Sequence, residues 1–257
     1  MNSDTETQKR ALITSLRQNI VVLTATIDPS VGKVHVALSN KVLRLTQYLD
    51  NIRRLILESD FTHIIFCENS NYHHDYSDLT ALAQNYGKKL EILSFMGSND
   101  IIMVKGKGYG EGEILNYAVN NSMFLQENCT TFYKLTGRIY VENVNTILAH
   151  SNNDNIFIRW DVKKNEVDTR FFKTQVGFFK ENLSHLLDRC DERTAMSIEE
   201  VYFDVLKGTP EVYSFTSYPI IKGMCASLGR PYDLGLLKLT YRIIQLKTGL
   251  LDLRRLK

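Results

Sequence analysis

Only four of the 257 residues are proline, four are cysteine and one is tryptophan, and each scarcity excludes something. With 44% apolar and 23% charged residues and so few prolines, long unfolded linkers are not expected. Cys67, Cys129, Cys190 and Cys225 are scattered, with no Cys-x-x-Cys pair and no histidine at zinc-ligand spacing, so neither a disulfide framework nor a zinc finger is expected and all four read as reduced thiols. No apolar run reaches the roughly 18 residues that would span a bilayer. Met1 to Lys9 is polar and acidic and lacks the basic, apolar and small-residue order of a signal peptide. A cytoplasmic protein is the expectation. An excess of one charge is lacking too: 31 basic against 29 acidic residues leave +2, too little to point to a nucleic-acid partner.

What is present is an alternation of elements. Short β-branched runs at 19–26, 63–67, 90–95, 131–141 and 155–160 are separated or followed by helical patterns at 41–58, 78–86, 112–126, 144–149, 174–189 and 197–207. That order predicts an α/β fold, a mostly parallel sheet flanked by helices. At this length one large domain can bury its own core. The division expected is an N-terminal extension over 1–18, a ligand-binding domain over 19–233 and a C-terminal helical tail over 234–257.

The run Lys105-Gly106-Lys107-Gly108-Tyr109-Gly110-Glu111-Gly112-Glu113 places four glycines at alternate positions, with two lysines, just before a helical pattern. Close backbone approach, positive charge and unpaired helix amides together suit an anion. Neither Gly-x-Gly-x-x-Gly nor a pattern ending in Gly-Lys-Ser/Thr can be laid on it, which weakens a dehydrogenase or ATPase reading. A plain helix-capping turn is the alternative. In α/β folds ligands sit beyond the carboxyl ends of the strands, so the polar ends Thr24-Ala25-Thr26-Ile27-Asp28-Pro29, Phe66-Cys67-Glu68-Asn69-Ser70 and Lys134-Leu135-Thr136-Gly137-Arg138 attract attention, although each taken alone has the composition of a turn.

The order of these segments, with Arg44-Leu45-x-x-Tyr48, Thr169-Arg170-Phe171-Phe172 and Glu199-Glu200-Val201-Tyr202-Phe203, resembles the bacterial glycosyltransferases that build surface polysaccharide, capsule or lipopolysaccharide O-antigen. The resemblance runs from about Val21 to Tyr232 and is most specific in Gly-Lys-Gly-Tyr-Gly-Glu and Lys-x-Thr-Gly-Arg. It implies a single Rossmann-like domain of the GT-A type, a nucleotide-sugar donor and a lipid-linked glycan acceptor. Donor contacts implied are Thr24, Asp28, Arg44, Glu68 and Asn69 from the first half, then Gly106, Lys107 and Gly108, then Lys134, Thr136, Gly137 and Arg138. Acceptor contacts implied are Arg170 and Lys222, the latter in a small-residue loop with Ser227 and Arg230.

Enzymes of the GT-A type often hold a divalent cation on Asp-x-Asp, and this chain has none. No metal or other cofactor is therefore expected; Glu166/Asp168, Glu111/Glu113 and His73-His74-Asp75 are poor substitutes. Lys134 and Arg138 would balance the leaving diphosphate instead, with Lys134, Thr136 and Arg138 on one face of an extended strand. Glu199, with a first-turn helix acid as the bland alternative, is the first choice for the general base and Asp161 the second, with Arg170 orienting Asp161 or the acceptor. A non-catalytic nucleotide- or glycan-phosphate-binding partner in an assembly complex is the rival function. Finally, Leu236 to Leu256 reads as a basic amphipathic helix interrupted at Gly249. It suits either the inner face of the cytoplasmic membrane or docking on the domain or a twin subunit.

Overall fold

The computed structural model describes residues 18–30, 37–194, 196–225, 229–232 and 234–256. Four strands run parallel, β1 (Ile20–Ala25), β2 (His63–Glu68), β3 (Lys89–Ser94) and β4 (Thr131–Thr136), in the spatial order β3-β2-β1-β4. Three more extend the sheet beyond β4: β7 (Phe171–Gln175) antiparallel to it, then β6 (Asn155–Ile156) and β8 (Val212–Tyr213). β1 and β2 are buried along their whole length, the state of central parallel strands covered on both faces, and their apolar composition follows from it. This is the α/β class expected.

Helices cover both faces, and two cores result. On one face α1 (Lys41–Glu58), α2 (Ser77–Asn85), α5 (Val144–His150) and α8 (Leu236–Lys247) pack over Val21, Leu23 and Ala25 of β1. On the other α4 (Lys107–Asn121), α6 (Val176–Asn182) and α7 (Ile198–Leu206) pack over Ile20 and Val22, while α3 (Asn99–Lys105) precedes α4 directly. The helix α1 starts where Asn40 accepts a hydrogen bond from the Leu43 amide and buries Arg44, Tyr48, Asn51, Ile52, Leu55 and Ile56, one helical stripe. Each fully buried apolar side chain in such a stripe contributes roughly 1.5–3 kcal/mol.

Four expectations need correction. The run 131–141 is two strands, because Asn51 Nδ2 binds both Gly137 O and Ile139 O at 2.8 Å, diverting the chain into β5 (Ile139–Val141), which joins β9 (Ile221–Cys225) and β10 (Arg230–Pro231) in a small second sheet. The segment 174–189 opens as strand β7 before turning helical, since Lys173 and Thr174 find buried partners there: Lys173 Nζ reaches Asn153 O at 2.7 Å and Thr174 Oγ1 reaches Asn155 Oδ1 at 3.0 Å. At 155–160 only Asn155–Ile156 is strand. The C-terminal helix ends at Lys247, where Gly249 adopts φ +76° and the chain turns to bury Leu251 and Leu253. The tail thus packs on the same two cores as the domain, Leu246 and Leu251 in one and Leu253 in the other. Residues 1–17, most of the N-terminal extension, lie outside the described residues, as do Ser227 and the side chain of Arg230.

Candidate functional site

The strand order turns back between β1 and β4: from β1 the chain builds outward to β3, and β4 opens the other side. Crevices at such reversals, beyond the carboxyl ends of the strands, are where ligands bind in this architecture. A cavity of about 320 Å³ lies there, walled by Thr24, Thr26 and Asp28 at and after the end of β1, Asn69 and Ser70 after β2, and Thr136 and Arg138 at and after the end of β4. Arg44 and Tyr48 of α1 close one side; Lys107, Gly108, Gly110 and Glu111 of α4 close another, with Thr169, Arg170, Glu199 and Tyr232 completing it.

On the α1 side two guanidiniums converge on one phenol. Tyr48 Oη accepts from Arg138 Nε at 3.2 Å, from Arg44 Nη2 at 3.3 Å and from the Thr26 amide at 3.1 Å. Arg44 is otherwise held by carbonyls, Thr26 O at 2.7 Å and Leu38 O at 3.2 Å, and burial pulls its pKa below the usual guanidinium value. Burial raises the Tyr48 pKa, but Arg138 and Arg44 outweigh it and leave the hydroxyl more acidic than an ordinary phenol. Arg138 Nη1 is buried with no hydrogen-bond partner among the described residues. Other parts of the Arg138 side chain reach the cavity wall, where a guanidinium suits an anionic ligand.

Gly137 makes this corner possible. A Cβ there would stand 2.9 Å from Thr24 O and 3.0 Å from the Tyr48 ring, and the glycine amide donates to Thr24 O at 2.9 Å. Gly137→Ala is expected to push the turn away from Tyr48, costing about 1–3 kcal/mol, and a thermal melt checks it. An unchanged melting temperature would show that the turn can yield.

The α4 side departs from expectation. The glycine run is not a loop before a helix at 112; it is the helix, beginning at Lys107 after Gly106 with φ +98°. The helical glycines serve packing: a Cβ on Gly108 would touch Ile198 at 3.1–3.3 Å and one on Gly110 would meet Ile102 at 3.3 Å. The Gly108 amide at the helix start is taken by Glu192 Oε1 at 2.9 Å. Gly106 itself does not line the cavity, whereas Lys107 and Gly108 do.

Lys134 is also placed differently. Its side chain is fully buried on the α4 face, binding the Glu111 carboxylate, Thr169 O at 2.6 Å and Thr136 Oγ1 at 2.9 Å. Arg138 follows the turn and crosses to the α1 face, so Lys134 and Arg138 do not share a face, and only Arg138 lines the cavity. Glu199, the first residue after Ile198 in α7, does line it. Its Oε1 accepts from Thr169 Oγ1 at 3.0 Å, and burial, then the negative charge of Glu111, push its pKa up to about 7. Capping at this helix start falls to Ser197 and Glu200, which form the reciprocal box, leaving Glu199 for the cavity.

Other expected residues lie elsewhere. The Asp161 carboxylate accepts from the Lys163 amide at 2.9 Å and from Arg242 Nη2 at 3.0 Å; these bonds hold its pKa down, and it ties α8 to the domain outside the cavity wall. Asp161→Ala is accordingly expected to lower stability by under about 1 kcal/mol, as for a half-exposed ion pair, and to leave donor binding unchanged in a titration. Arg170 lines the cavity but pairs with Asp168, through Nε–Oδ1 at 2.9 Å and Nη2–Oδ2 at 2.7 Å, not with Asp161. Its guanidinium lies 3.9 Å from the Trp160 ring centroid and 4.9 Å from that of Tyr232. Glu68, at the end of β2, binds Ser70 N at 2.9 Å, Ser70 Oγ at 2.6 Å and Tyr72 N at 2.8 Å, shaping the loop behind Asn69. Lys222 lies on β9 opposite Tyr140, away from the wall. Among the described residues no three His, Cys, Asp or Glu side chains are arranged to hold a metal ion, and no helix is long and apolar enough to cross a membrane.

Sequence reasoning assigned no ligand role to Tyr48, Thr169, Glu192 or Tyr232. Only Tyr48 and Thr169 sat inside segments singled out; nothing local marks Glu192 or Tyr232, which topology brings in.

Compared by sequence, the chain matches no family model and no curated protein. Among solved structures it is similar to the apo-form glycosyltransferase GlyE of Streptococcus pneumoniae TIGR4, at 12% identity and a TM-score of 0.49 over 74% of this chain and 43% of that one. It is also similar to the galactosyltransferase LgtC in complex with donor and acceptor sugar analogues, at 9% identity and a TM-score of 0.42 over 72% and 68% of the two chains. This chain thus spans less than half of the GlyE chain. At such scores the activity has to be argued from the site.

Proposed function

We propose that the protein is a glycosyltransferase of the GT-A type, moving a sugar from a nucleotide-sugar donor to a hydroxyl of a lipid-linked glycan acceptor in capsule or lipopolysaccharide synthesis. One observation carries the reading: a single cavity is lined by both a guanidinium, Arg138, and a carboxyl, Glu199, whose pKa of about 7 suits proton transfer at neutral pH. In an inverting displacement the acceptor oxygen forms a bond to the anomeric carbon while Glu199 takes its proton. The bond from that carbon to the phosphate oxygen breaks, and its electron pair leaves with the diphosphate, whose charge Arg138 balances. Thr24, Thr26, Asn69 and Thr136 offer hydrogen bonds to the donor, and Arg170, stacked on Tyr232, faces the acceptor.

The test is incubation with a panel of nucleotide sugars, read first by thermal shift and then by nucleoside diphosphate release with and without acceptor glycans. Stabilisation by a donor with release supports the enzyme. Stabilisation without transfer or slow hydrolysis supports the rival non-catalytic binding partner.

We infer further that the diphosphate is held without a divalent ion, a reading supported by the positive charge that Arg138 and Arg44 bring to the cavity wall. Donor affinity is expected to be equal with EDTA and with added manganese or magnesium. An affinity that needs metal refutes this, and Glu111 would then be the first carboxylate to mutate.

For the cytoplasmic membrane surface, the support is α8, where Leu236, Leu237, Tyr241 and Ile244 are exposed beside Lys238 and Lys247. Binding to anionic but not zwitterionic vesicles is expected. A concentration-dependent dimer without vesicle binding would give that face to a second copy instead.

A further inference from the structure

Lys134 and Glu111 have no part in the chemistry just described, yet the fold buries a lysine completely to bring them together. An isolated buried ammonium is costly, so a pair retained beside a reacting group calls for an account. Its connections point one way. Thr169 accepts from Lys134 Nζ at its carbonyl, at 2.6 Å, and donates from its hydroxyl to Glu199 Oε1, at 3.0 Å. Thr136 Oγ1 accepts a second proton of the ammonium at 2.9 Å, Glu111 taking the third. One residue therefore fixes the cation through its backbone and the candidate base through its side chain.

We propose that Glu111 and Lys134 are positioning residues that act through Glu199, the pair fixing its carboxylate by way of Thr169 and setting the pH at which it gives up its proton. The inference rests on the reading of Glu199 as the base. The charges facing Glu199 are few: Glu111 from α4 opposes its ionisation and Lys134 from β4 favours it. Glu199 also acts on the Cys190 thiol before the turn at Glu192–Thr194 and on the Tyr202 phenol of α7, and burial pushes the pKa of both up, Cys190 to about 11, so both stay neutral at physiological pH, while Arg170 and Glu192 line the same cavity. Lys105 and Glu192 act on Cys190 with opposite sign. Because Glu111 lies on the glycine helix and Lys134 on the strand leading to Arg138, the state of Glu199 is tied to both walls of the cavity.

The experiment is a carbon-13 NMR titration of the full chain carrying glutamate labelled at the side-chain carboxyl, the Glu199 signal being assigned by its loss in Glu199→Gln. The wild-type midpoint is expected near 7. Glu111→Gln should lower it by about one pH unit or more, Lys134→Met should raise it, and the double variant should fall between, as for charges within a few ångströms. Thr169→Val, which removes a donor to the carboxylate, should raise it as well. If Lys134→Met fails to fold, Glu111→Gln decides the matter. An unmoved midpoint in Glu111→Gln overturns the proposal, whatever Thr169→Val does. No donor or acceptor is needed, so the outcome stands apart from whether transfer is found; where it is found, the acid limb of kcat/KM should move with the midpoint, which a merely structural pair would not cause.

Discussion

Glu199→Gln is expected to lower transfer by roughly 10²–10⁴-fold while leaving nucleotide-sugar affinity nearly unchanged, because the amide keeps the shape of the side chain and cannot take a proton. In the wild type, activity should rise with pH through about 7, as the carboxyl buried against Glu111 ionises. Stability should show the opposite trend. The folded-state pKa lies above the ordinary glutamate value of 4.5, so between those two values the folded protein holds a proton that the unfolded chain has released. Stability from this group is therefore full at low pH and is lost as pH rises through 7. The glutamine variant has no such loss, and its melting temperature should exceed that of the wild type at pH 8 but not at pH 5. Full activity in the variant would move the base role away from Glu199, and Asp161, tied to Arg242 outside the cavity, would be a poor heir.

The parts of the fold that were legible in the sequence are those in which local pattern and burial agree. The helix Lys41–Glu58 was readable to the residue, since Asn40 supplies a cap and Tyr48, Ile52, Leu55 and Ile56 mark a helical stripe. The strands at 20–25 and 63–68 were readable because covered parallel strands are mostly apolar, and the edge strand at 89–94 through Leu90, Ile92 and Leu93. Legibility failed where long-range partners override local preference. Thr174 and Gln175 look like the opening of the helix expected over 174–189 until Asn155 Oδ1 is seen to receive both. Gly108 and Gly110 look like a phosphate loop until Ile198 and Ile102 are seen to need their missing side chains. In the site, the strand ends after β1, β2 and β4 did converge, as that topology requires. What the sequence could not show was the path of each side chain beyond Cβ. Lys134 and Arg138 are four residues apart, yet a turn at Gly137 sends one into an ion pair and the other to the cavity.

That divergence separates two substitutions that read alike in sequence. Arg138→Ala is expected to leave the fold near wild type and to cut turnover by roughly a hundredfold, the scale for one electrostatic group at a developing charge. Its contacts are Tyr48 Oη at 3.2 Å and the Tyr48 ring, and Tyr48 keeps Arg44 and Thr26 as partners when the guanidinium goes. The loss should fall mainly on kcat, because the charge Arg138 meets grows as the diphosphate leaves. Lys134→Ala should behave otherwise. It leaves the Glu111 carboxylate without its counter-ion and Thr169 O without its donor, for a stability cost of about 3 kcal/mol, the lower end for a broken buried pair since Glu111 opens partly to the cavity. Any loss of turnover there should come with a lower melting temperature. Measuring both quantities for both variants decides the point: a stable Arg138→Ala protein with unaltered kcat removes Arg138 from the leaving-group side. A Lys134→Ala protein of normal stability and hundredfold lower kcat at every pH, with the Glu199 midpoint unmoved, would put the lysine in direct contact with the diphosphate.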